Sequence, residues 1–300
     1  MYGNFIFEGG TYKHERIVEL IEDLGGYITT RRLFAQEATL TFTAPIEDKD
    51  LIDQCAKEIQ GSIKESPLLG TEIAVVSPTL TRHHLPHHLC DIAEYLRRQG
   101  AQTNMIGLAR GVGRRTAQLN QREKRVIEEH DLAVICTGNF KRCIEEKMKV
   151  FSEISIPLVF TGLPHLENPD FTYIEKFGRL PYKFKRLGEI ELLKKVGKGV
   201  EENIKKVREE ISVNPPIAPP FVVKDEILNQ VEDVKYGLSP DVVTLRANGL
   251  RVKIPFHVYV EDISNVGIAK YRLGDISTIT RSANKNRILV DMLPESLVEV

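Results

Sequence analysis

The rhythm of hydrophobic and polar positions changes repeatedly along the chain, and each change predicts a different element. Phe5–Phe7 is a short apolar run ending at Gly9-Gly10, as a strand and its turn require. Ile17, Leu20, Ile21 and Leu24 then recur at helical spacing until Gly25-Gly26 stops the pattern. Over residues 36–44 the period becomes two: Ala38, Leu40, Phe42 and Ala44 fall on one side, Glu37, Thr39, Thr41 and Thr43 on the other. That is a half-buried strand. A second helix carries Leu51, Ile52, Cys55, Ala56 and Ile59 on one stripe. Residues 1–70 therefore read as a small βαββα domain of ferredoxin-like type.

From Thr71 onward the pattern is that of buried parallel strands. Ile73–Ser77, Thr103–Leu108, Leu132–Cys136 and Leu158–Thr161 are short apolar runs separated by helical patterns. This alternation predicts a doubly wound α/β domain over residues 71–164, its parallel sheet covered on both faces. One helix is expected to start near Asn120, where Glu123 three residues on makes a capping box. Residues 165–213 are a helical extension: Ile190, Leu193, Val196, Val200, Ile204, Val207 and Ile211 form a stripe interrupted by Gly197 and Gly199. The proline-rich run 214–220 predicts a stiff extended linker. Residues 221–300, with strand-like segments at Val252–Val260 and Val266–Leu273, read as a β-rich module.

Composition narrows the class. The chain has 300 residues, 42% hydrophobic, enough to bury real cores. Its 41 basic and 42 acidic residues leave a formal charge of −1, which gives no push toward nucleic acid. No apolar run is long enough to span a bilayer. The opening MYGNFIFEGG lacks the pattern of an export signal, and 4 cysteines suit free thiols or metal ligands better than a disulfide framework. The expectation is a cytoplasmic protein without membrane partners.

Ligands of open parallel sheets bind outside the carboxyl ends of the strands, so the loops after Ser77, Leu108 and Cys136 carry the candidate chemistry. The first contains His83, His84, His87 and His88, with Cys90 two residues further on. Imidazole and thiolate together are ligands for iron, zinc or nickel; the alternative is a solvated loop whose histidines cap the next helix. The third segment runs from Cys136 to Cys143, with both thiols at one sheet edge and the helix start favouring their anionic form. Their spacing matches no standard zinc or ferredoxin signature, and plain packing is the competing reading. Cys55 lies on an apolar stripe and reads as core. The second loop, around Gly107, Gly111 and Gly113, carries Arg110, Arg114 and Arg115. It suits a phosphate, a carboxylate-rich cofactor, a reduced cluster or an acidic partner. It is neither a Walker A loop nor a dinucleotide fingerprint, so nothing points to ATP hydrolysis by this chain.

The opening residues Phe7-Glu8-Gly9-Gly10-Thr11-Tyr12-Lys13-His14, followed by Val18 through Tyr27, resemble the methanogenesis marker protein 7 family along the full chain. Residues 71–211 also resemble the C protein of the methyl-coenzyme M reductase operon. The positions of Arg82, His84 and Cys90 and the turn after Gly107 carry that likeness, and the resemblance puts histidines where this chain has Cys136 and Cys143. What it implies is a subunit of the ATP-dependent assembly that reductively activates methyl-coenzyme M reductase. Its partners would be other marker proteins, the operon C protein, a separate ATPase component and the reductase itself. An iron–sulfur cluster near Cys90, Cys136, Cys143 and His84, with Arg110, Arg114 and Arg115 balancing charge, would supply the strongly negative potential that such a reduction needs. A cluster-free structural adaptor, or a stand-alone α/β enzyme or sensor, are the other readings.

Overall fold

The computed structural model describes residues 2–78, 87–108, 119–177, 186–235 and 242–298. The chain divides into two compact units, residues 1–69 with 98–101 and residues 70–97 with 102–300.

The first unit contains β1 (Tyr2–Gly10), α1 (Glu15–Asp23), β2 (Tyr27–Leu33), β3 (Glu37–Pro45), α2 (Lys49–Glu58) and β4 (Ser62–Glu65). The strands form an antiparallel sheet in the order β2-β3-β1-β4. Ala38, Leu40, Phe42 and Ala44 are all buried, as their alternation predicts, and Phe42 sits opposite Phe5 with ring centroids 5.5 Å apart. Ile17, Ile21, Ile52 and Ala56 close the core from the helices. Each fully buried large side chain contributes roughly 1.5–3 kcal/mol. Gly25 ends α1 at φ +73°, a left-handed turn that costs glycine nothing. The expected βαββα unit is thus a βαββαβ unit: Ser62–Glu65 adds a fourth strand, too short and too polar to announce itself.

The second unit opens with β5 (Glu72–Ser77), α3 (His87–Arg98), β6 (Gln102–Gly107), α4 (Gln121–Glu128), β7 (Leu132–Cys136), α5 (Lys141–Phe151), β8 (Leu158–Thr161) and β9 (Thr172–Ile174). All five strands are parallel, in the order β6-β5-β7-β8-β9. β5, β7 and β8 are buried along their whole length, which is why they read as unbroken apolar runs. The three-residue β9 has no such run and extends the sheet beyond the expected four strands.

The capping box at α4 is present: Asn120 Oδ1 accepts from Glu123 N at 2.8 Å, and Asn120 N donates to Glu123 Oε2 at 2.9 Å. Asn120→Ala is expected to lower unfolding free energy by about 1 kcal/mol, measured by urea titration. α6 (Arg186–Val213) runs through Gly197 and Gly199 without a break. These glycines mark closeness: a Cβ at Gly197 would lie 2.7 Å from the Tyr95 ring on α3, and one at Gly199 3.1 Å from Thr172 on β9. Val196, Val200 and Ile204 are the buried part of the stripe.

The remaining elements are α7 (Pro220–Gln230), α8 (Glu232–Lys235), β10 (Val243–Arg246), β11 (Gly249–Val252), α9 (Phe256–Ser264), β12 (Gly267–Ile268), β13 (Tyr271–Arg272), α10 (Leu273–Ile276), β14 (Ser277–Arg281) and β15 (Ile288–Met292). An antiparallel sheet, β10-β11-β15-β14, packs with the helices around Val223, Ile227, Leu250, Val252, Ile263 and Val290. The strand expected over 252–260 is instead the end of β11 followed by α9. Pro255 starts this helix despite the β-favouring Val258, Tyr259 and Val260, because the helix buries Ile263 and lays Phe256 and Tyr259 on the core. The proline run is extended but is not a free linker. Glu295 N donates to Pro215 O at 2.9 Å, Pro216 bridges to Pro294, and Ala218 is buried. No helix among the described residues is long and apolar enough to cross a membrane.

Candidate functional site

Because every strand of the large sheet is parallel, Ser77, Gly107, Cys136 and Thr161 all end at one edge; Ser77 pairs with Gly107, and Cys136 with Thr161. The chain leaves β5 toward β6 on one side and returns to β7 on the other, so the order reverses between β5 and β7. That reversal is where doubly wound sheets open a crevice. Ser77 and Cys136, the last residues of β5 and β7, flank it. His84, Arg110, Arg114 and Arg115 lie outside the described residues.

The three cysteines all belong to elements at this edge but differ in surroundings. Cys90 is exposed in the first turn of α3. Cys136, the last residue of β7, is enclosed, and burial pushes its thiol up to about 12. Cys143 is partly buried near the start of α5, and burial raises its thiol as well, outweighing the nearby charge of Lys147. Ligation needs thiolates, and both of these environments favour the protonated form. Among the described residues, no three or more His, Cys, Asp or Glu side chains are grouped to hold a metal ion. The described donors therefore do not by themselves fit a cluster. Cys55, on α2, is half-buried at the margin of its core.

The opposite, amino edge of the sheet holds a buried ionic network that the periodicity did not reveal. Arg251 on β11 is enclosed, and its Nε donates to both carboxylate oxygens of Glu72 at 2.9 Å. Its Nη1 donates to Glu129 Oε2 at 3.0 Å and its Nη2 to Glu129 O at 3.2 Å. Glu129 also accepts from Ser282 Oγ at 2.7 Å and from Ala283 N. Burial alone would raise Glu72; the charge of Arg251 and the hydrogen bonds from Arg251 and Asn104 outweigh it and hold the carboxyl below its ordinary range.

His130 and Asp131 complete the network. Asn104 Nδ2 lies 3.0 Å from His130 Nε2, and His130 Nδ1 lies 3.1 Å from Ile127 O. A carbonyl only accepts, so Nδ1 carries the proton and Nε2 accepts a hydrogen bond from Asn104 Nδ2; burial lowers the imidazole's affinity for a second proton. Asp131 Oδ2 accepts from Glu72 N at 2.7 Å and Ala247 N at 3.0 Å, and burial lifts its carboxyl from 3.8 to about 6. Glu72, Glu129, Asp131 and Arg251 thus join the parallel sheet to the C-terminal sheet. A trace existed in the sequence: charged residues stand directly before two apolar strands, at Glu72 and at Glu129-His130-Asp131.

Comparison with known proteins gives the chain its relatives. An uncharacterized protein of Methanocaldococcus jannaschii is 46% identical over 299 residues, covering 100% of this chain and 96% of that protein. The methyl-coenzyme M reductase operon protein C of Methanococcus vannielii is 28% identical over 155 residues, 47% of this chain and 78% of that protein. Among solved structures, formyltetrahydrofolate deformylases from Pseudomonas putida and Burkholderia mallei are 12% and 9% identical, both with a TM-score of 0.21. The likeness covers 45% of this chain and 59% of each deformylase, and at that TM-score it carries no argument. The family model of the operon protein C matches residues 2–266 rather than the middle region 71–211 alone. The chain belongs to the methyl-coenzyme M reductase operon protein C family.

Proposed function

We propose that this chain is a non-catalytic structural subunit of the ATP-dependent assembly that reductively activates methyl-coenzyme M reductase. The family's name supports the link to the reductase. The observation that carries the adaptor role is the Arg251 network: a buried guanidinium shared by Glu72 and Glu129 holds two sheets as one body, the property required of a part that fixes others in position. ATP would be handled by a separate ATPase component, and other methanogenesis marker proteins would complete the assembly.

A second reading makes the carboxyl edge of the parallel sheet part of an iron–sulfur site. It is favoured by the placement of Cys90, Cys136 and Cys143 on elements at that edge; His84, Arg110, Arg114 and Arg115, outside the described residues, would be its further donor and counter-charges. A cluster there would supply low-potential electrons.

One anaerobic experiment separates the two. Extract depleted of this chain is expected to lose ATP-dependent activation of the reductase, and wild-type chain to restore it. Cys136→Ser/Cys143→Ser chain is expected to restore it equally, with unchanged iron and acid-labile sulfide in the reassembled complex. Loss of both activation and iron with that variant would favour the cluster reading. Full activation in depleted extract would overturn both.

A further inference from the structure

Beside the buried network, α4 and the β14–β15 hairpin enclose a cleft of about 690 Å³ that neither reading above employs. Four arginines line it: Arg122 and Arg125 from α4, Arg246 from β10 and Arg281 from β14. The three carboxylates in the same wall already have partners. Glu128 accepts from Ser155 N and Ser155 Oγ, both at 2.9 Å, Glu129 is held by Arg251 and Ser282, and Asp291 accepts from Arg246 at 2.6 Å. Among the described residues, no ion pair involves Arg122, Arg125 or Arg281; Arg281 contacts only the ring of His257, at 3.1 Å.

Arg246 has donors to spare as well. A guanidinium carries five N–H donors; Arg246 directs Nη1 to Asp291, while its buried Nε has no acceptor among the described residues. Three guanidinium groups with no ion pair among the described residues, and a fourth with a spare Nε, outnumber the three carboxylates of the wall and suit an anion with several acceptor oxygens. Planar guanidinium forks match the oxygens of phosphate groups two at a time. Among the described residues the cleft wall contains no aromatic side chain on which a ring would stack, and the cleft's volume falls in the range of small-molecule sites.

We propose that this cleft binds a phosphorylated small molecule carrying at least two negative charges.

The test is isothermal titration of the full chain with sodium tripolyphosphate at near-physiological salt. Sodium sulfate at matched ionic strength and an oligoglutamate peptide of equal charge are the comparison arms. Saturable binding of tripolyphosphate is expected, weakened at least about tenfold in Arg122→Gln/Arg281→Gln. Both side chains are exposed and outside the buried network, and circular dichroism checks that the variant is folded. The proposal is overturned by absent binding, by an unchanged affinity in the folded variant, by sulfate binding as well as tripolyphosphate, or by tighter binding of oligoglutamate. The last would mark the cleft as a seat for an acidic protein segment.

Discussion

Replacing Arg251 with methionine is expected to destabilise the second unit by about 3–5 kcal/mol, the usual consequence of stripping buried charges of their partner. Glu72 and Glu129 would both remain enclosed, and among the described residues neither has another cation in bonding contact. Asn104, Ser282 and Ala283 still donate to them, but neutral donors offset only part of the desolvation. In a body of this size the melting temperature should fall by on the order of 10 °C. Urea unfolding of wild type and Arg251→Met measures the loss directly. Adding Glu72→Gln and Glu129→Gln to the same chain should recover much of it, since what destabilises the single variant is uncompensated charge rather than lost packing. A loss under about 1 kcal/mol, or no recovery in the triple variant, would show that the network does not join the sheets in the way its geometry implies.

The second large effect is a dependence on pH. Asp131 faces Arg246, Glu72 and Arg208, with His130 next to it in sequence, yet burial dominates and lifts its carboxyl from 3.8 to about 6. An acid whose affinity for protons is higher folded than unfolded gives a stability contribution that is present at low pH and lost as pH rises through the folded value. A rise of this size corresponds to about 3 kcal/mol, lost between roughly pH 4 and pH 6. Asp131→Asn keeps an oxygen for Glu72 N and Ala247 N but cannot ionise. The stability difference between wild type and Asp131→Asn should therefore shift against wild type by about 3 kcal/mol across that window. Equal shifts of both proteins with pH, followed by chemical denaturation from pH 4 to pH 7, would sink this account. Glu72 and His130 pull in the opposite direction, since the first is held ionised and the second neutral, so the comparison must be between the two proteins rather than along one curve.

These two experiments bear on function as well as stability. A subunit that positions others must resist deformation where its layers meet, and the Arg251 network lies at such a junction. If Arg251→Met stays folded at low temperature, its ability to restore reductase activation should fall along with its stability. The cysteine variant, by contrast, leaves this junction untouched.

What the sequence determined by itself follows from periodicity. Ala38, Leu40, Phe42 and Ala44 can only be buried together in an extended strand, and the runs at Ile73, Leu132 and Leu158 only between two covering layers. Asn120 and Glu123 announced a helix start that needs nothing beyond local hydrogen bonds. The parallel sheet followed, and with it the common edge shared by Ser77, Gly107 and Cys136. Tertiary structure decided everything that depends on partners distant in sequence. Val258, Tyr259 and Val260 became helical because a core waited beneath them; Gly197 and Gly199 turned out to permit close approach instead of interrupting a helix. Whether Cys136 is a ligand or an enclosed thiol depends on what surrounds it, and no spacing encodes that. Arg251 and Glu72 are 179 positions apart, and the charge that one needs from the other is invisible until the chain brings their strands together.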